Sequence, residues 1–194
     1  MSNGYKSQQV QLTGLGDLLN IINALGQDSA ETDRNQLNTA NYLNNRVKGA
    51  STIEELTNLL PSVDTHNSNV TSSGNDEYVL DYSDKKRVFE SLPMAYKQLE
   101  DIHNEYAKNP EILAGKLLEG GWEGFTERET MLTNLKAIID EGKAYGYKYR
   151  GDGTYSQKLL EDALDTRIKA NNAAFEALDT YAGEFNLMNP DGTV

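Results

Sequence analysis

Residues 156–188 read SQKLLEDALDTRIKANNAAFEALDTYAGEFNLM. Within them Leu164, Ile168, Asn171, Phe175, Leu178, Ala182 and Phe185 recur in steps of four and three, a heptad seam three repeats long. The spacing predicts one helix from about Ser156 to Met188, on the order of 48 Å at 1.5 Å per residue. A single Asn on an otherwise apolar seam can set register and partner number in a coiled coil. Two uses fit this pattern. The helix is the central strut of a monomeric bundle, with Asn171 near an end or facing water, or the seam joins separate chains.

Working outward, the rest of the chain repeats the helical signature. Leu occurs 23 times against 8 Ile and 7 Val, and apolar spacings are mostly three and four. Near the N-terminus Leu15, Leu18, Leu19, Ile22 and Leu25 form one stripe closed by Gly26. Asp28 with Glu31 makes a capping box for a helix carrying Leu37, Ala40, Leu43 and Val47 inward to Gly49. Ser51 with Glu54 repeats the box for a short helix that Pro61 ends. Residues 62–77, SVDTHNSNVTSSGNDE, hold almost nothing to bury and read as a polar linker. The expected organisation is a helical arm over 1–61, a linker over 62–77 and a helical body over 78–194.

The body opens at Tyr78–Tyr82 as a short extended entry. Ser91-Leu92-Pro93 then starts a helix bearing Leu92, Tyr96, Leu99, Ile102 and Tyr106. Asn109-Pro110 punctuates the chain before Gly120-Gly121. Thr126 with Glu129 opens a further helix containing Leu132, Leu135 and Ile139, closed by Gly142. Tyr145, Tyr147 and Tyr149 alternate as the residues on one face of a small β-hairpin would. The predicted class is all-α: a multi-helix bundle with a long C-terminal helix, an N-terminal helical arm and a small Tyr-rich hairpin.

Composition removes several functions. Acidic residues outnumber basic ones 30 to 18, for a net charge of -12, which opposes general phosphate binding. The Tyr residues interleaved with Lys143, Lys148 and Arg150 are the one plausible single-strand nucleic-acid patch, and they fit a protein contact equally well. With no Cys, disulfides, thiolate metal sites and Cys nucleophiles are absent, and the two His lie too far apart for an HExxH zinc site. No apolar run approaches the ~18 residues of a membrane span. The polar N-terminus lacks signal-peptide order, so the expected setting is a host cytoplasm or a virion and not the secretory route. Leu, Ile, Val and Phe total 42 of 194 residues, about 22 %, so the core is expected to be thin.

Candidate chemistry is sparse. Glu119 and Glu123 flank the one Trp, Trp122, and paired carboxylates suit glycoside hydrolysis. The Gly-rich, Gln-ending stretch Tyr149–Gln157 faintly resembles a segment of lysozyme-like and chitinase-like folds, which implies a peptidoglycan-cleaving enzyme using Glu119 or Glu123. The competing account is a helix–helix turn in which Gly120 and Gly121 end one helix while Trp122 and Phe125 plug the core. His103 among Glu100, Asp101 and Glu105 fits a solvated helix face. No cofactor or metal is implied.

The leading expectation is a non-enzymatic assembly protein acting through helix packing, one of many copies in a large complex. A virion or phage-particle inner, connector or core component is its most concrete form. Its contacts would be Leu15, Leu18, Leu19, Ile22, Leu25, Tyr145, Tyr147, Tyr149, Leu164, Ile168, Asn171, Phe175, Leu178 and Phe185, made to further copies and to other subunits. The alternative to both assembly and enzyme is an acidic helical adaptor for one protein partner.

Overall fold

The computed structural model describes residues 29–108, 116–117, 119–151 and 153–184. Among these the chain is mostly helical: α1 Ser29–Gly49, α2 Ile53–Ser72, a 3-10 turn Asp76–Tyr78, α3 Ser83–Lys108, α4 Gly121–Ala144 and α5 Gln157–Glu184, with no strand. The elements form two compact units. Among the described residues one holds Ser29–Gly49 with Leu56–Tyr82, and the other Ala50–Glu55 with those from Ser83 to Glu184.

In the first unit α1 and α2 run antiparallel, with Gln36 near the start of α1 donating to Ser73 Oγ just past the end of α2 at 3.0 Å. The stretch 62–77, expected to be a linker, is helical as far as Ser72, and Pro61 lies inside α2 instead of ending it. The reason is a second seam. Leu56, Leu59, Val63, His66 and Val70 are all buried, in steps of three and four. Burying a Val contributes about 1.5–3 kcal/mol. Val63 and Val70 together therefore offset the roughly 3 kcal/mol that an internal Pro costs.

The polar residues that suggested a loop serve the fold. Thr65, Ser72 and Ser73 donate to the carbonyls of Pro61, Ser68 and Asn69. His66 Nε2 donates to Tyr78 O at 2.9 Å, while Asn67 holds the backbone of Leu80 through both its amide N (3.0 Å) and O (2.8 Å). On α1 the inward face also departs from expectation. Gln36 and Thr39 are buried, and Leu37 is exposed.

The second unit is an up-down-up bundle of α3, α4 and α5. Arg87 pairs with Glu141, and Lys136 with Asp165, so α4 is antiparallel to both neighbours; Tyr96–Glu161 and Tyr106–Thr166 make α3 and α5 parallel. Here too a Pro sits inside a helix. Pro93 lies within α3, because Val88, Phe89, Leu92, Ala95, Tyr96 and Leu99 form one unbroken buried face across it.

Three expected helix ends move. The box at α2 lies one residue later than Ser51/Glu54: the Glu55 N–H donates to Thr52 Oγ1 at 3.1 Å, and the Glu55 carboxylate reaches back to the Ser51 N–H at 2.7 Å. Thr126 does not cap α4 but lies within it, donating to Trp122 O. Gly142 does not close α4. It is buried, and a Cβ there would lie 2.6 Å from both Leu92 methyls, so its lack of a side chain lets α3 and α4 approach. Gly146 (φ 77°) ends the helix in a Schellman motif, with Gly146 N–H on Lys143 O and Tyr147 N–H on Gly142 O.

Candidate functional site

The two ends of the three-helix bundle gather most of the side chains that sequence reasoning marked. The Schellman turn after α4 aims Tyr147 back into the bundle. There it is buried, edge-on to Phe89 (centroids 5.1 Å, 81°) and stacked on Tyr96 (5.8 Å, 18°). Tyr149 stacks on Tyr96 as well, at 4.5 Å and 12°, and its hydroxyl donates to Glu100. Tyr145 is the C-cap of α4 and half-buried. The expected hairpin strand is irregular backbone: Tyr147 and Tyr149 pack on α3, and no strand pairs with the segment among the described residues. Lys148 N–H donates to Ser51 O at 2.7 Å and Arg150 pairs with Glu55 at 3.0 Å, fastening this segment to the turn before α2.

Glu161 of α5 is the polar centre of this end. It accepts from Tyr96 Oη (3.0 Å), Gln157 Nε2 (2.9 Å) and Lys143 Nζ (2.8 Å). Burial raises the carboxyl pKa, but the hydrogen bonds from Lys143, Gln157 and Tyr96 outweigh it and leave it below its ordinary value. Burial, then the bond to Glu161, pushes the Tyr96 phenol well up. Burial alone raises Tyr147.

At the opposite end α5 places polar side chains in the core. The buried seam runs Leu160, Leu164, Arg167, Asn171, so Arg167 occupies the place expected of Ile168, which is half-buried. Asn171 is buried within this chain, neither at an end nor facing water. Its Oδ1 accepts from Arg128 Nε at 3.1 Å and its Nδ2 donates to Phe125 O at 3.4 Å. Arg128 also donates to Glu119 O (3.2 Å) and Leu117 O, and its guanidinium lies 4.8 Å over Phe125. Phe175 meets Trp122 and Phe125 edge-on at 5.2 and 5.8 Å, yet stays 38 % exposed. Leu178 is half-buried, Tyr181 exposed and Ala182 buried.

The Glu119–Phe125 stretch is the tight entry to α4. Gly120 has φ 82°, and a Cβ on Gly124 would lie 2.5 Å from Glu119 O. The carbonyl of Glu119 holds Arg128, while Glu119 and Glu123 themselves are exposed. His103 packs edge-on to Tyr155 at 5.1 Å and, with Tyr106, Ala107, Leu159, Ala163 and Thr166, lines an open groove of about 310 Å³. Among the described residues no group of three His, Asp or Glu could hold a metal ion, and no helix is long and apolar enough to cross a membrane. Leu15, Leu18, Leu19, Ile22, Leu25 and Phe185 lie outside the described residues.

Sequence reasoning missed Glu161, Arg128 and Arg167. Arg167 alone carried a signal, the four–three–four spacing it shares with Leu160, Leu164 and Asn171. Compared with known proteins, the chain matches no family model, no curated protein and no solved structure.

Proposed function

We propose that this protein works by helix packing as one of many copies in an assembly, with the C-terminal half of α5 as the contact. A virion inner, connector or core component is the most concrete form of this reading. The observation that carries it is the apolar surface left open on this half of α5 among the described residues, where Phe175 is 38 % exposed. Phe175 is level with Trp122, in the first turn of α4, and Thr166 is level with Tyr106, near the end of α3. The helix continues to Glu184, about 13 Å further at 1.5 Å per residue, with Ala182 buried, Leu178 half-buried and Tyr181 54 % exposed along that length. Apolar surface exposed along one side of a helix suits helix-to-helix association. A net charge of -12 keeps the free subunit dispersed.

Size-exclusion chromatography with light scattering tests the reading. Wild-type chain is expected to form a defined oligomer that Tyr181→Asp and Leu178→Asp dissolve while far-ultraviolet circular dichroism keeps its helical signal. A wild-type monomer at every concentration tested would overturn self-association and shift the case to an adaptor with one unlike partner.

A further inference from the structure

Arg167 Nη1 is the one buried side-chain nitrogen or oxygen among the described residues with no hydrogen-bond partner. The residue is 8 % exposed. Its Nη2 lies 3.9 Å from Glu105 Oε2, an ion pair beyond hydrogen-bond reach, and Glu105 is shared with Lys116 at 3.5 Å. The guanidinium stands 5.6 Å over the Tyr106 ring. Beside it is a second cation: burial and then the charge of Arg167 push the Arg128 pKa down. A buried donor without an acceptor carries its full desolvation penalty, and a like charge nearby adds to it.

Arg128, Asn171 and the Trp122, Phe125 and Phe175 rings tie the start of α4 to α5, whereas toward α3 the described polar contacts are the 3.9 Å Arg167–Glu105 pair and a 3.4 Å bond from Tyr106 Oη to Thr166 O. The other end of the same helix is held by the Tyr96, Tyr147 and Tyr149 stack and by three hydrogen bonds on Glu161. Parting the Arg167 layer gives the orphan nitrogen water to bind, whereas parting the tyrosine end exposes satisfied groups.

We infer that Arg167 is a built-in opening point: Arg167–Glu184 of α5, together with Gly121–Arg128 of α4, separates from the bundle as a unit while the Gln157–Leu164 end stays shut. Opening gives water access to Arg167 and to the face of Tyr106 that it covers. The device belongs to the single chain, and because the moving segment includes Leu178 and Tyr181 of the proposed contact, its test is run at a concentration where light scattering gives the monomer.

Amide hydrogen exchange read by mass spectrometry on the full chain tests it. Peptides covering 168–184 and 121–128 are expected to exchange at one common rate, faster than those covering 157–164 and 132–144. Arg167→Leu or Arg167→Met should slow the fast pair about tenfold or more, since each removes the unpaired donor, and leave the slow pair unchanged. Glu105→Gln should quicken the fast pair, having removed the carboxylate that faces Arg167. If neither Arg167 variant slows 168–184 and 121–128, or if those two segments exchange at unrelated rates, the inference is overturned.

Discussion

The two ends of α5 are built on opposite principles. Toward Gln157 the helix meets interlocking aromatic rings, and the half-buried Glu161 carboxylate has three donors. Toward Glu184 it meets two guanidiniums, a buried Asn and a half-covered ring cluster, and one nitrogen is left without an acceptor. The same helix carries a fully satisfied carboxylate toward one end and an unsatisfied guanidinium nitrogen toward the other. What separates the ends is whether each buried polar group is satisfied, since apolar residues occur at both.

The contrast is broken most severely at the tyrosine end. Tyr96→Ala removes two ring stacks and a donor to Glu161 at a fully buried position, and is expected to lower unfolding free energy by about 3–5 kcal/mol in chemical denaturation. Gly142→Val drives a side chain into Leu92 and should lower it by about 1–3 kcal/mol, with a matching fall in the thermal midpoint.

Acid titration sharpens the comparison. The folded carboxyl of Glu161 lies below its ordinary value of 4.5, so its contribution is complete above that pH and is lost as pH falls through the folded value. Glu161→Gln should lower stability at neutral pH by roughly 1–2 kcal/mol and flatten this part of the acid limb. At the other end the effects shrink and then change sign. Phe175→Ala should lower stability by only about 1 kcal/mol, because the ring is already partly in water. Gly183→Ala, where an added Cβ meets nothing within 4 Å, should raise it by roughly 0.5–1 kcal/mol through helix propensity. Equal losses at Tyr96 and Phe175 would show that the two ends are held alike.

Helix content was legible because apolar spacing and caps are local. Leu92, Tyr96 and Leu99 are fully buried, as their spacing predicts, and so are Leu164 and Asn171. Reading failed where a local breaker was set against distant burial. Pro61, Pro93 and the Ser- and Asn-rich run after Pro61 all argue for a chain break when read along a few residues. They lie within or beside helices because Val63, Val70, Phe89 and Leu92 are buried on continuous faces. Glu161 was illegible for a related reason. Its donors Tyr96 and Lys143 lie 65 and 18 residues away, and no pattern along the chain links them to it.

Taken alone, the order of residues settles which segments favour helix, the acidic surface and the absence of thiol chemistry, since each depends on composition or on neighbours within a turn or two. The helix ends, the helicity of 62–72 and the partners of every buried polar group are settled by folding, because they turn on which distant surfaces meet. The seam of α5 divides along the same line. Leu164 and Asn171 could have faced another chain by spacing alone, but the approach of α3 and α4 puts them inside this one.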